Sequence, residues 1–397
     1  MPSKAALLWD ESFLWGLIAY RALKGRSLDF SLVTSADIKQ GALNGRRLLY
    51  VPGGWASNKL AALGDEGAQE IKKFVEGGGS YIGVCGGAGL ATSEGIGLLD
   101  IKRRPLSERV PSLSGKIRAR VVSAHPFWDG IRGECPFFHI WWPSQFKPAD
   151  PSVKVVASFE QAAPGAFSSD LNVGSVRNWE ELEAEYKLNL DPARMLNEPL
   201  ALEGAYGAGR VFLTLIHPDT PHDSNGAKAL QNLWMHLGGE EKKEGAMSSP
   251  FPLFRGLLAP VEELFDIGAR NFLWFREGWT IRWRRGIRGL EYFTLYELVK
   301  ELARRVGRSG MPEGRPGGIE SLIVELRGFT EKAERLLLLE RRALQRGEPL
   351  TFSKASDPEM AGLRAQLFSS AKSHGGEFKK VLEKVDGILY GYLKHDG

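Results

Sequence analysis

Tyr81-Ile82-Gly83-Val84-Cys85-Gly86-Gly87-Ala88-Gly89-Leu90-Ala91 is the stretch from which the fold can be read. Ser80 to Val84 reads as a buried strand. It runs straight into Cys85, and glycines crowd both sides of the thiol. A sharp strand-to-helix turn that presents a nucleophile needs this frame. The backbone at the turn is strained, and neighbouring positions must lack side chains so that chains can pass closely. The helix that follows points its N-terminus near the sulfur, and that field favours the reactive thiolate. The bland alternative is a small cysteine buried at a tight junction. The glycines and the position after a middle strand favour the functional reading.

Strand-like and helix-like runs alternate outward from this point. Ala5–Trp9 is apolar, and Phe13–Leu23 has helical spacing. Phe30–Thr34 reads as a strand, and so does Arg47–Val51, which ends at Pro52-Gly53-Gly54. In Asp65–Val75, Ala68, Ile71, Phe74 and Val75 share one helical face, and Gly77-Gly78-Gly79 ends that helix. Further apolar runs lie at Val153–Ala157 and Val211–Ile216, with a last helix expected over residues 227–237. Repeated strand–helix–strand order implies an α/β domain with a mainly parallel sheet covered by helices.

A thiol nucleophile needs a base. His217 follows the strand Arg210–Ile216, at the carboxyl end where open parallel sheets bind ligands. Asp219, two residues on, is placed to orient the imidazole. Backbone N–H groups of Gly54 and Gly86 are the candidate donors to a developing oxyanion. An aromatic region, Phe127-Trp128 and Phe137-Phe138-His139-Ile140-Trp141-Trp142, reads as packing or as the wall of a substrate pocket. His125, Cys135 and His139 match no standard zinc spacing, so no metal is expected, and no cofactor is called for. His222 with Asp223 is the alternative acid–base pair.

Taken together, the early strand, Val51-Pro52-Gly53-Gly54, Gly83-Val84-Cys85-Gly86-Gly87 and Gly209-Arg210-Val211 with His217-Pro218-Asp219 resemble the class I glutamine amidotransferase-like superfamily over about residues 4–240. Within it the chain looks most like the domain at the N-terminus of some eukaryotic biotin–protein ligases, also found as stand-alone bacterial proteins. The resemblance implies a flavodoxin-like, doubly wound sheet and a Cys–His–Glu triad. Cys85 matches the nucleophile, His217 the base, and Gly54 and Gly86 the oxyanion donors; Asp219 occupies the Glu position. Glutaminase domains carry Gln where this chain has Gly89, which favours the biotin-ligase-like branch. Residues 251–397 contain no Gly-rich biotinyl-adenylate motif.

The 397 residues are 43% hydrophobic and 25% charged, ordinary globular usage that excludes a disordered chain or a fibre. No run of about 18 apolar residues suggests a membrane span. The apolar run in Met1–Trp9 is broken by Asp10 and Glu11, so no secretory signal is expected. Two cysteines, Cys85 and Cys135, fit a reducing, cytoplasmic setting. Residues 1–250 carry 27 Lys and Arg against 28 Asp and Glu, a net of −1, while residues 251–397 carry 25 against 20, a net of +5. The domains are expected at 1–240 and 251–397, with a polar, small-residue linker at 241–250.

The second half reads as an all-α bundle, with helices at Tyr292–Val306, Ile319–Gln345 and Phe378–Leu393, a loop at Arg308–Gly318 and a break at Asp357-Pro358. Glu340 interrupts the apolar stripe of the longest helix. Phe272–Arg288 interleaves aromatics with arginine. At a net of only +5, a protein-partner or domain interface is favoured there over nucleic acid or a membrane surface. Three functions follow. The first is a cysteine-dependent amidase or amidotransferase-like hydrolase acting on a small acyl or amide substrate. The second is a catalytically weak binding or scaffold protein working through residues 251–397. The third is a peptidase-like hydrolase, which would need a Glu from another strand that the sequence does not identify.

Overall fold

The computed structural model describes residues 3–148, 150–242, 253–309, 316–352, 355, 357–369 and 374–394. The chain divides into two compact units, Met1–Ala246 and Met247–Gly397. From residue 243 on, the expected linker lies outside the described residues, as do residues 310–315 of the expected loop.

The first unit is built on an eleven-stranded sheet. Five strands are parallel, in the order Ser31–Val33, Ala5–Leu8, Leu48–Val51, Ser80–Val84, Gly209–Thr214. Every residue of Ala5–Leu8, Leu48–Val51 and Ser80–Val84 is buried, which is why these strands read as continuous apolar runs. The helices Phe13–Lys24, Ala56–Glu76 and Ser224–His236 follow strands of this core. The helix Ala56–Glu76 is interrupted at Gly64 (φ 59°), so the expected Asp65–Val75 segment is its second part.

Beyond Gly209–Thr214 the sheet becomes antiparallel through Pro199–Tyr206, Lys154–Ala162 and Leu113–Val121, to which Phe137–Trp141 also pairs. The sheet is therefore mixed, with a parallel core. Of this extension, the apolar runs in the sequence mark only Val153–Ala157, part of the strand Lys154–Ala162. Leu113–Val121 alternates buried residues with Lys116, Arg118 and Arg120 on the open side, the period-2 pattern of a half-solvated antiparallel strand. Because the five core strands are parallel, their carboxyl ends share one edge. The loops Trp9–Ser12, Pro52–Trp55, Cys85 and Leu215–Asp223 all leave from it.

The second unit contains the helices Arg255–Arg270, Gly289–Ser309, Pro316–Gln345, Pro358–Phe368 and Gly376–Lys394. It also holds a hairpin, Trp274–Glu277 with Thr280–Trp283, turning at Gly278 (φ 59°). The unit is helical as expected, but the aromatic–arginine segment folds as this hairpin. Glu340 is buried and receives two hydrogen bonds from Arg364, at 2.9 and 2.8 Å, which accounts for a carboxylate in an apolar stripe. Among the described residues, no helix is long and apolar enough to cross a membrane.

Candidate active site at the sheet edge

Cys85 stands between the strand Ser80–Val84 and the short helix Gly86–Leu90, with φ 50° and ψ −104°. A non-glycine residue holds such a conformation only when its surroundings enforce it. Here its N–H donates to Thr214 O (2.8 Å), and its carbonyl accepts from Gly89 N–H (2.9 Å). The flanking glycines are required by contact. A Cβ on Gly86 would lie 1.9 Å from Gly54 O, and one on Gly87 2.0 Å from Val51 O. The helix spans only five residues, so any field at the sulfur comes from its first N–H groups rather than from a long dipole. The partly exposed thiol lies 3.6 Å from Trp141 O.

His217 follows the neighbouring strand Gly209–Thr214 and is fully buried. Its N–H donates to His139 O (2.9 Å), and its ring Nδ1 is 3.2 Å from Asp219 Oδ1, itself buried. Trp15 packs on the ring, centroids 4.7 Å apart. Burial disfavours charge on His217, but the Asp219 hydrogen bond and the Cys85 thiol outweigh it and push the pKa up to about 9. His217 Nε2 has no hydrogen-bond partner among the described residues. Tyr50, buried on Leu48–Val51, faces the same carboxylate; burial and then the Asp219 charge hold its phenol protonated.

Gly54 and Gly86 are in contact, as the 1.9 Å clash shows, and Gly86 opens a helix, where N–H groups have no intrahelical acceptor. The sequence-selected Cys85, His217, Asp219, Gly54 and Gly86 thus gather at one edge of the sheet. At Gly89, a side chain would grow toward Ala56 Cβ (3.3 Å) and Arg103 Cδ (3.6 Å).

Three other histidines of the first unit, His125, His139 and His236, are engaged elsewhere. His139 Nδ1 is 2.7 Å from Asp223 Oδ2, and its ring stacks on Trp141. Asp223 also accepts from Gly226 N–H as the cap of Ser224–His236. Asp223 is therefore partnered by His139 rather than by exposed His222, because His222 sits in a left-handed turn ahead of the helix. His125, Glu203 and His236 form a tight group, with Glu203 3.0 and 3.2 Å from the two rings. Phe127 N–H donates to His125 Nδ1, so the neutral ring carries its proton on Nε2 and donates it to Glu203. That leaves no lone pair at Nε2 for a cation, and Arg210 lies 3.1 Å from His236 Nε2. Cys135 is a free, partly exposed thiol.

Residues 29–95 match the family model described as "Biotin-protein ligase, N terminal". The match spans the Gly53-Gly54 turn and the Cys85 elbow, and ends before His217. The first unit has a class I glutamine amidotransferase-like, biotin–protein ligase N-terminal-like fold. No curated protein matches this chain. Solved structures similar to it include a Thermoplasma acidophilum protein assigned to GMP synthase, at 14% identity and TM-score 0.39, covering 60% of this chain and 95% of the other. The β-galactosidase of Rahnella sp. R3 is 12% identical with TM-score 0.39, covering 64% and 34%. A cytoplasmic protein of Salmonella typhimurium is 14% identical with TM-score 0.35, covering 56% and 86%.

Three residues at this edge carry no signal in the sequence: Trp15, Tyr50 and Lys59; Trp142 belongs to the aromatic run read there as packing or a pocket wall. Trp142 has φ 53° and lies 6.0 Å from Trp15, ring to ring. A lysine in an amphipathic helix reads as solvated, yet Lys59 is 0% exposed.

Proposed function

We propose that the first unit is a cysteine-dependent amidase or amidotransferase-like hydrolase. Cys85 Sγ attacks the carbonyl carbon of an acyl or amide substrate. The oxyanion is held by the Gly54 and Gly86 N–H groups. His217, protonated beside Asp219, gives its proton to the leaving amine, and a thioester forms on Cys85. Water then attacks the thioester, His217 takes the water's proton, and the acid leaves as the Cys85 thiolate beside protonated His217, the pair that began the cycle, is restored. A reducing, cytoplasmic setting keeps Cys85 in its active thiol form.

The observation that carries this reading is the strained Cys85 turn, tied by its N–H to Thr214 O on the neighbouring strand that leads to buried His217, whose ring meets Asp219 at 3.2 Å. Gly89 in place of glutamine favours an amide other than glutamine. The test is intact-protein mass spectrometry during turnover of a panel of primary and secondary amides. The expected result is an acyl adduct on Cys85 that is absent in Cys85→Ala. Turnover that persists unchanged in Cys85→Ala would contradict it.

A second reading is a weakly catalytic protein that binds a protein partner through residues 251–397. The exposed pair Phe272 (57%) and Phe275 (47%), beside Arg284, favours it. Adduct formation on Cys85 separates the two.

A further inference from the structure

Lys59 is fully buried, and the reaction steps above do not use it. A lysine gives up water only where fixed acceptors replace it. Its ammonium donates to Asp10 O (3.2 Å) and to Ser12 Oγ, while Ser12 Oγ donates onward to Leu8 O (3.2 Å). The adjacent Asn58 holds Glu11 Oε2 at 3.1 Å. Two consecutive residues at the start of Ala56–Glu76 therefore grip the loop after the strand Ala5–Leu8. That loop is strained, with φ 53° at Glu11 and 44° at Phe13, and such strain persists only when its surroundings fix it.

The gripped loop touches the proposed site at two places. Glu11 O abuts Gly54, where a Cβ would stand 2.5 Å from it, and Gly54 in turn abuts Gly86. The same Gly54 Cβ position is 3.5 Å from Lys59 Nζ, so the ammonium lies directly behind the glycine turn. Trp15, in the first turn of Phe13–Lys24, covers the His217 ring and bounds Gly53, where a Cβ would stand 2.9 Å from Trp15 Cγ. One buried lysine thus holds the wall behind the candidate oxyanion donor and the loop that leads to Trp15 over the candidate base.

We propose that Lys59 is a positioning residue of the Cys85 site, fixing the Asp10–Ser12 loop against Gly54 and supplying positive charge behind the Gly54–Gly86 pair. This inference rests on the hydrolase reading above. Positive charge near a thiol favours the thiolate, so the thiol's reactivity reports on Lys59 without a known substrate.

The test is the rate of iodoacetamide labelling of Cys85 in the full chain at neutral pH, read by peptide mass spectrometry, with Cys135 as the internal reference. Lys59→Met is expected to lower the Cys85 rate about tenfold and leave Cys135 unchanged, with Lys59→Arg restoring it to within about threefold. Ser12→Ala, which keeps the lysine, is expected to lower the rate about threefold and serves if Lys59→Met does not fold. A folded Lys59→Met, or failing that a folded Ser12→Ala, that labels Cys85 at the wild-type rate overturns the inference. Rescue failing in Lys59→Arg also overturns it, since charge at that place is the claim. If wild-type Cys85 labels no faster than Cys135, the hydrolase reading itself fails, a result distinct from an unchanged variant.

Discussion

His217 is wholly buried, yet its neighbours hold it protonated, and that has a consequence for stability. Its pKa in the fold, about 9, lies above the ordinary 6.5. The charge therefore contributes stability that is fully present below about pH 6.5 and is lost as pH rises through about 9. Urea unfolding of wild type and His217→Gln checks the sign. The stability gap between them is expected to be larger at about pH 6 than at about pH 10; a gap that widens toward alkaline pH would contradict the assignment. The same scale shows what a sequence can reveal. Cys85, His217, Asp219, Gly54 and Gly86 sit in local patterns of glycine and strand end that chemistry demands. Lys59 and Tyr50 carry no such pattern, because burial of a lysine or coupling of a tyrosine to a carboxylate is decided by a distant loop.

At the scale of elements, the site depends on three chains crossing closely at the edge of the sheet. The helix Gly86–Leu90 lies so near the Leu48–Val51 strand and the Gly54 turn that a single methyl group cannot be accommodated. Gly87→Ala is expected to destabilise the first unit by on the order of 3 kcal/mol, measured by denaturant unfolding, because the backbone at Val51 must shift. A change below about 0.5 kcal/mol would show that this crossing is looser than the geometry requires. The parallel core was legible because its strands are buried on both faces and read as apolar runs. Most of the antiparallel extension was not, since Leu113–Val121 interleaves three basic residues with its buried face. The Trp274–Trp283 hairpin was also missed, because Arg276 and Arg282 among its aromatics look like a charged surface rather than two paired strands.

At the scale of the whole molecule, the two units differ in charge and in what their buried ionic groups do. The first places Lys59, His217 and Asp219 at the sheet edge. The second places Glu340 with Arg364 inside a helical core, and burial, against the pull of Arg364, pushes the carboxyl up to about 7. The fold therefore favours neutral Glu340. Its contribution is fully present below about pH 4.5 and is lost as pH rises through about 7. Glu340→Gln fixes a neutral group there, so the variant is expected to gain stability relative to wild type between about pH 5 and about pH 8 in urea unfolding of the full chain. A relative loss over that range would reverse the sign.

The proposed chemistry requires a reactive thiol in the first unit. The direct measurement is the iodoacetamide labelling rate of Cys85 against Cys135 in wild type and in His217→Gln, followed by peptide mass spectrometry at neutral pH. Cys85 is expected to label at least about tenfold faster than Cys135, with the excess lost in His217→Gln. Equal and slow labelling of both thiols in wild type, or an excess untouched by His217→Gln, would contradict the account.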